Sequence, residues 1–195
     1  MKTAGLKKLR KAMEKELNPK RYEHTLCVAY TAASLAMVHG ADTNSAIIAG
    51  MLHDCAKCIP DEKLISICQK NKLDISQVEL SNPSALLHAK AGSILARKKY
   101  GIEDKDILNS IKYHTTGRPD MSKLEKIVYI ADYIEPCRKH ASNLTQIRRM
   151  AYQDLDKTLL KILEDTLSYL RSIDGSIDPM TNETYEFYSG LHKLS

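Results

Sequence analysis

Residues 43–57 read TNSAIIAGMLHDCAK, an apolar run that closes on an adjacent histidine and aspartate. The apolar residues recur at helical spacing and predict a buried helix that begins at Asp42 or Thr43. One stripe of this helix would hold two small residues and then three polar ones: Ala46, Gly50, His53, Asp54 and Lys57. The small residues would let a neighbouring helix approach closely beneath the His-Asp pair.

Signals for helix starts and helix stops recur along the whole chain, and no convincing strand alternation accompanies them. Asn18-Pro19 predicts the start of a helix that Gly40 ends, and a capping box at 122–125 predicts another helix up to Pro136. Further helices are predicted at about residues 61–70, 84–100, 104–115 and 144–173. The pattern therefore predicts an all-α fold.

The length of 195 residues, with 43% hydrophobic and 27% charged residues, suits one compact domain. We expect a single helical bundle over residues 18–175. An N-terminal helical extension over residues 1–17 would precede it, and a short polar C-terminal tail over residues 176–195 would follow.

Composition also narrows the classes of partner and the compartment. The net charge is +5, but there is no Trp and only one Phe, so a surface that stacks bases on several aromatic rings is not expected, and neither is a nucleic-acid partner. Five cysteines are an odd number, which favours a reducing cytoplasm over a full disulfide framework. We find no signal-peptide pattern and no apolar segment long enough for a membrane span. The C-x-x-C at 55–58 is interpreted as a chance spacing.

Four of the seven histidines and two aspartates lie on or beside the apolar sides of predicted helices: His24, His53, Asp54, His88, His114 and Asp132. A single inward histidine is usually a core residue, but a buried carboxylate is costly unless it is paired or binds a metal. Imidazoles and carboxylates are ligands of iron, zinc and manganese. The pattern by itself leaves structural polar residues and a metal site both open. The other histidines, His39, His140 and His192, are expected at the surface.

These residues carry a family resemblance. His24, His53-Asp54 and Asp132 match the H…HD…D signature of the HD-domain superfamily of metal-dependent phosphohydrolases. The longer sequences HTTGRP at 114–119 and MSKLEKIVYIADYIEP at 121–136 resemble the bacterial YqeK-type HD hydrolases. The resemblance covers about residues 18–175, which would form the HD hydrolase domain. Cys55 departs from it, since an apolar or aromatic residue is expected there.

The resemblance implies an enzyme that splits diadenosine tetraphosphate symmetrically into two ADP by attack of a metal-activated hydroxide, a symmetrical bis(5'-nucleosyl)-tetraphosphatase. It implies His24, His53, Asp54 and Asp132 as ligands of a first metal. In this family the metal is commonly iron, as one or two ions, with Mn, Co, Zn or Mg as alternatives. His88 and His114 could complete a second metal site or could donate hydrogen bonds to substrate phosphate.

Roles in catalysis and substrate binding are assigned on the same basis. Asp54 is expected to orient the nucleophile, and Lys57 is the first candidate for a phosphate clamp. The candidate catalytic residues are Asp54, Lys57, His88 and His114. The candidate substrate contacts are Arg21, His24, Lys57, His88, His114, Arg138 and Tyr185, while Lys90 and Arg118 are left open between phosphate contacts and surface residues.

Other functions remain as alternatives at this point. A different HD-family nucleotide phosphohydrolase, such as a nucleotidase or an alarmone hydrolase, would use the same ligands. An iron-dependent oxygenase is another alternative, since some helical proteins with a His/Asp di-iron site are oxygenases. A non-catalytic nucleotide- or RNA-binding module is indicated only by the isoelectric point of about 8.8, and nothing in the sequence offers a base-reading surface. We expect a small nucleotide substrate as the partner, and a homodimer is compatible with the family.

Overall fold

The computed structural model of the protein describes residues 3–139 and 141–193. Within these ranges the chain forms eleven helices and no strand, so the predicted all-α fold is confirmed. The helices are α1 (Thr3–Glu16), α2 (Pro19–His39), α3 (Thr43–Leu52), α4 (Asp61–Lys70), α5 (Gln77–Ser81), α6 (Leu87–Tyr100), α7 (Lys105–Lys112), α8 (Lys123–Ile134), α9 (Leu144–Ala151), α10 (Leu155–Ser172) and α11 (Pro179–Lys193). No described helix combines the length and the apolar character that crossing a membrane requires.

The predicted helix ends are explained by local capping. The Asn18 side chain accepts a hydrogen bond from the Arg21 backbone N–H, and Gly40 ends α2 with a positive φ of 64°. At the start of α8, Ser122 and Glu125 form the predicted reciprocal capping box. These caps satisfy backbone groups that the helix itself leaves without partners. Because each cap is a contact between residues close in sequence, it could be predicted from the sequence.

Helix α3 lies at the centre of the bundle, where it packs against α2, α7 and α8. Gly50 allows the closest approach, because a Cβ added there would lie 2.7 Å from the Cα of Ala29 in α2. The contact brings the C-terminal end of α3 against the N-terminal half of α2. It therefore places His53 beside His24.

The helical stripe that the sequence predicted as far as Lys57 stops early. Helix α3 ends at Leu52, and residues 53–58 form consecutive turns with bonds such as Cys55 N–H to the Leu52 carbonyl and Lys57 N–H to the Asp54 carbonyl. The tighter turns rotate the side chains after His53 away from the positions of a regular helix.

The predicted long helix over residues 144–173 is two helices, α9 and α10. The carboxylate of Asp154 accepts hydrogen bonds from the backbone N–H groups of Asp156 and Lys157 and so caps a new helix. An aspartate within an amphipathic pattern can be a solvent-exposed helix residue or the cap of a new helix. Periodicity does not distinguish the two, so it did not predict this break.

Both ends of the chain also belong to the packed structure. In α1, Leu9 and Met13 are buried in the main core. The segment 176–195, expected as a polar tail, contains α11, which packs against α10. Its Thr184 is buried, and the hydroxyl of its Tyr188 accepts a hydrogen bond from the Met121 N–H at 2.8 Å. The segment is polar on average, but one side of α11 is apolar and packs on the core.

The three histidines expected at the surface have different outcomes. His39 is half-buried, and its Nε2 donates to the Ala151 carbonyl at 2.7 Å, which joins the end of α2 to the end of α9. His140 and the side chain of His192 lie outside the described residues.

We expect Gly50→Ala to lower the free energy of unfolding by about 1–3 kcal/mol, because the new methyl group meets backbone atoms of α2 that cannot rotate away. Urea denaturation would measure the loss. Gly190→Ala is the control, since nothing lies within 4 Å of its added Cβ and that variant should be neutral or slightly stabilised. Equal denaturation midpoints for the two variants would contradict the close contact.

Candidate metal centre and catalytic cavity

The six predicted histidines and aspartates come together from five parts of the fold. They are His24 from α2, His53 and Asp54 after α3, His88 from α6, His114 after α7 and Asp132 from α8. The four imidazoles and the Asp54 carboxylate are buried, whereas Asp132 is partly exposed. The tertiary structure thus gathers polar groups that lie up to 108 positions apart in the sequence, from His24 to Asp132.

The hydrogen bonds of three histidines determine which ring nitrogen faces the centre. Nδ1 of His53 lies 2.7 Å from the Gly50 carbonyl, and Nδ1 of His114 lies 2.8 Å from the Ile111 carbonyl. Nδ1 of His24 lies 3.2 Å from Oε1 of Glu135. Because these partners accept hydrogen bonds, we assign the proton of each neutral ring to Nδ1. All three Nε2 atoms then present lone pairs to the centre.

This arrangement fits a metal ion. Nε2 of His24 and Nε2 of His53 lie 3.3 Å apart, so two lone pairs face each other unless positive charge lies between them. The carboxylates favour such charge: burial alone would lower the pKa of His53, but Asp54 and Asp132 raise it above its ordinary value. The donor atoms of His24, His53 and Asp132 all lie within 4.8 Å of one another. Neutral imidazoles and carboxylates in this arrangement are a transition-metal ligand set.

A second group of donor atoms adjoins the first. One ligand atom each from His53, Asp54 and His114 also lies within 4.8 Å of the others. Burial lowers the pKa of His114 to about 3, which keeps its imidazole neutral, as a metal ligand must be. The two groups share His53, and the chain therefore offers donors for one ion or for two.

His88 is oriented differently from the other three histidines. Its Nδ1 lies 3.4 Å from the Lys57 ammonium nitrogen, which can only donate. The neutral ring then carries its proton on Nε2, which lies 3.1 Å from Oδ1 of Asp54 and 3.2 Å from Nε2 of His114. With this tautomer, His88 is a hydrogen-bond donor towards the centre.

Asp54 is the charged group on which most of these contacts converge. Burial would raise the pKa of Asp54, but the imidazoles of His53 and His88 lower it well below its usual range. Nη1 of Arg21 donates to Oδ2 of Asp54 at 2.7 Å. On the opposite side, Nη2 of Arg138 donates to Oδ1 of Asp132 at 2.7 Å. Both carboxylates are therefore ionised and held in fixed orientations.

Sequence reasoning missed Glu135, which is 2% exposed and faces both the metal centre and the chain after α8. Besides contacting His24, its carboxylate accepts a hydrogen bond from the Cys137 N–H at 2.6 Å. A Glu-Pro pair at the end of a helix is typical of helix termination. The local sequence therefore gives no indication that Glu135 contacts a metal-binding histidine. Its partner His24 lies 111 positions away in the sequence.

A cavity of about 310 Å³ opens above this cluster. Its walls hold Arg21, Asp54, Lys57, Ala85, Leu86, His88, His114, Thr115, Tyr129, Asp132, Tyr133, Arg138 and Thr166. Three of the predicted phosphate contacts, Arg21, Lys57 and Arg138, therefore line the same space as the donor atoms. A second cavity of about 450 Å³ shares Arg21 and Arg138 with the first and adds Lys20 and Lys139.

The other predicted or open substrate contacts lie elsewhere. Tyr185, in α11, is half-buried against the main core and does not line either cavity, so the structure gives its proposed substrate contact no support. Lys90 bonds the Glu79 carboxylate and the Asp74 carbonyl at 2.7 Å, and Arg118 bonds both carboxylate oxygens of Glu125. These two cations stabilise the fold rather than line the cavity.

Comparisons with known proteins agree on the family to which this chain is similar. Residues 21–137 match the model of the HD domain family. A Bacillus subtilis protein named symmetrical bis(5'-nucleosyl)-tetraphosphatase is 38% identical over 90% of this chain and 92% of its own length. A protein of the same name from Halalkalibacterium halodurans is 40% identical over 87% and 89%, respectively. The crystal structure of a predicted HD superfamily hydrolase involved in NAD metabolism from Clostridium acetobutylicum has a TM-score of 0.91 and 43% identity, and covers 95% of this chain and 97% of that one.

We expect Glu135→Gln to lower metal affinity about 10–100-fold, as is typical when a partner of a metal-binding histidine is changed. The amide can accept from His24 or from the Cys137 N–H, but one of the two hydrogen bonds is lost. Titration of the metal-free protein with the metal measures the change. Glu23→Gln, at an exposed wall residue of the second cavity, should leave the affinity unchanged. Wild-type affinity in Glu135→Gln would contradict this role.

Proposed function

The chain belongs to the HD domain family, and on that premise we propose that it hydrolyses dinucleoside tetraphosphates symmetrically, with diadenosine tetraphosphate giving two ADP. The two relatives of the same printed activity support this reaction, since they match this chain over nearly all of its length. The chain would thus be a metal-dependent acid-anhydride hydrolase.

One observation carries the proposal: a cavity with metal-ligand donors at its base and cations in its wall. A polyphosphate repels an incoming nucleophile, so hydrolysis needs positive charge around the phosphates. Arg21, Lys57 and Arg138, which all line this cavity, supply that charge. The second cavity continues the row of cations through Lys20 and Lys139, which suits a substrate with several phosphates.

The resemblance assigns His24, His53, Asp54 and Asp132 to the first metal. The donor atoms of His24, His53 and Asp132 lie together, and Asp54 adjoins them in a group with His53 and His114, where a second ion would lie. When bound, such a metal lowers the pKa of water towards about 7 and stabilises charge on the phosphoryl oxygens. Arg21 holds one oxygen of Asp54 and His88 lies beside the other, so the carboxylate has a fixed orientation from which it can accept a hydrogen bond from the attacking water.

His88 is assigned to the substrate rather than to the metal. Lys57 holds its Nδ1, and the neutral ring can therefore donate one hydrogen bond from Nε2, to Asp54 or to a phosphate oxygen of the substrate. Burial lowers the pKa of Lys57, while the nearby Asp54 favours its charged form. Lys57 thus has two tasks in this proposal: it orients His88, and it attracts the phosphate chain.

Iron is our first candidate for the metal, because the resemblance to the YqeK-type enzymes implies it and the imidazole-carboxylate donor set suits it. Manganese, cobalt, zinc and magnesium remain alternatives. A small nucleotide is the proposed partner. A homodimer and a cytoplasmic location stay predictions.

The reaction is tested by incubating the metal-loaded protein with diadenosine tetraphosphate and separating the nucleotides that form. ADP alone is expected, whereas ATP plus AMP would overturn symmetrical cleavage. Asp54→Ala, which should abolish turnover, controls for contaminating activities. Faster hydrolysis of mononucleotides or alarmones than of dinucleoside tetraphosphates would instead favour the other HD-family activity.

The different roles of the two cavity histidines are tested by His114→Asn and His88→Asn. Asparagine can replace the Nδ1 contact of either ring, with the Ile111 carbonyl or with Lys57, but it removes Nε2. We expect His114→Asn to lower metal content. We expect His88→Asn to keep the metal and lower kcat about 10²–10³-fold, the usual cost of losing one hydrogen-bond donor to the reacting group. Metal analysis and kinetics are measured on the same preparations, and equal metal loss in both variants would contradict the assignment.

A further inference from the structure

Two cysteines adjoin the metal centre without belonging to it. Sγ of Cys27 in α2 and Sγ of Cys137 after α8 lie 3.6 Å apart, although 110 positions separate them in the sequence. Cys27 is partly buried, whereas Cys137 is exposed and lines the second cavity. A small oxidant can therefore reach one thiol while the other lies within contact distance.

We propose that Cys27 and Cys137 form a modification site, at which a hydroperoxide converts the two thiols into a reversible intramolecular disulfide. The site lies outside the proposed hydrolytic chemistry, and the bond would join α2 to the segment that follows α8.

The chemistry takes two steps. The Cys137 thiolate attacks one oxygen of hydrogen peroxide, and the O–O bond breaks. That oxygen stays on Cys137 as a sulfenic acid, and the other oxygen leaves as one water. The Cys27 sulfur then attacks the Cys137 sulfur, and the hydroxyl group leaves with the Cys27 proton as a second water. Two thiols lose two electrons in total, and one peroxide is reduced to two waters.

The order of the two thiols follows from their surroundings. Burial, aided by the contact with Cys137, raises the pKa of the Cys27 thiol to about 12, so Cys27 stays protonated at neutral pH. Thiolate is the reactive form, and peroxide reacts first where the thiol is exposed. Cys137 is therefore the attacking residue, and Cys27 is the residue that resolves the sulfenic acid.

The segment around Cys137 can make the movement that the bond requires. A disulfide brings its sulfurs to about 2.05 Å, so the two atoms must approach by about 1.5 Å. Cys27 is held within a long helix, whereas Cys137 lies in a turn outside any helix. The shift therefore falls mainly on the turn at 135–138.

That turn is connected directly to the metal centre. The Cys137 N–H donates to Oε2 of Glu135, whose Oε1 contacts His24, and the next residue, Arg138, bonds Asp132. Pulling Cys137 towards α2 disturbs these contacts. We therefore expect the disulfide to lower hydrolytic activity and a thiol reductant to restore it; this activity change rests on the proposed function, whereas formation of the bond does not.

The remaining cysteines provide the controls. The Sγ of Cys55 is buried and bonds the Gly92 carbonyl, and Cys68 is buried in a separate apolar cluster. Cys58 is exposed, and its Sγ contacts the side chain of Asn18, the residue that caps the start of α2. Cys58→Ser is therefore the matched control, because it removes an exposed thiol and leaves the proposed pair intact.

The test treats the full-length, metal-loaded protein with hydrogen peroxide at low protein concentration. Free thiols are counted, and the digested chain is mapped by mass spectrometry without reduction. We expect two thiols per chain to disappear and a Cys27–Cys137 cross-linked peptide to form in the wild type and in Cys58→Ser. Cys27→Ser and Cys137→Ser should form no such peptide, and dithiothreitol should restore both thiols.

Several results would overturn the proposal. Unchanged thiols, a disulfide between two chains, or oxidation of Cys137 to a sulfinic acid with Cys27 intact would each do so. The two sulfurs and the Glu135 carboxylate also lie within 4.8 Å of one another. One zinc ion per chain that protects both thiols from peroxide would identify a metal site in place of the disulfide. An equal loss of activity in the wild type and Cys137→Ser would contradict the coupling to His24.

Discussion

The Asp54 carboxylate is a buried charge that the bundle can hold only by surrounding it with donors. Arg21 reaches it from α2, His53 precedes it at the end of α3, and His88 reaches it from α6. Each of these segments must therefore meet at one point, because an unpaired carboxylate in the interior would be strongly destabilising. The close approach of α3 to α2 at Gly50 makes the meeting possible.

The four imidazoles around this charge are chemically alike, but their hydrogen bonds give them different tasks. Backbone carbonyls hold the Nδ1 protons of His53 and His114, so both rings direct a lone pair inwards. Lys57 reverses this arrangement at His88, which directs a proton inwards. The centre thus offers lone pairs that suit a cation and one N–H group that, in the proposed function, would donate to a phosphate. Arg21 and Arg138 add positively charged side chains to the walls of both cavities.

Parts of the fold could be predicted wherever a local hydrogen bond decides the structure. Asn18 and the Ser122–Glu125 pair cap their helices through contacts within four residues, so the sequence was sufficient there. Prediction failed where tertiary packing decides instead. Asp154 divides one amphipathic pattern into α9 and α10, and the segment expected as a polar tail contains α11, whose Tyr188 and Thr184 bond the chain around 116–121.

By itself the sequence determined the helical class and the types of residue at the centre, because periodicity, caps and the H…HD…D pattern are local or are matched by residue type. Only the tertiary structure decided which nitrogen of each histidine faces inwards, that Glu135 supports His24, and that Cys27 meets Cys137. Each of these facts depends on atoms brought within about 4 Å from distant parts of the chain, and a pattern of residue types does not specify such distances.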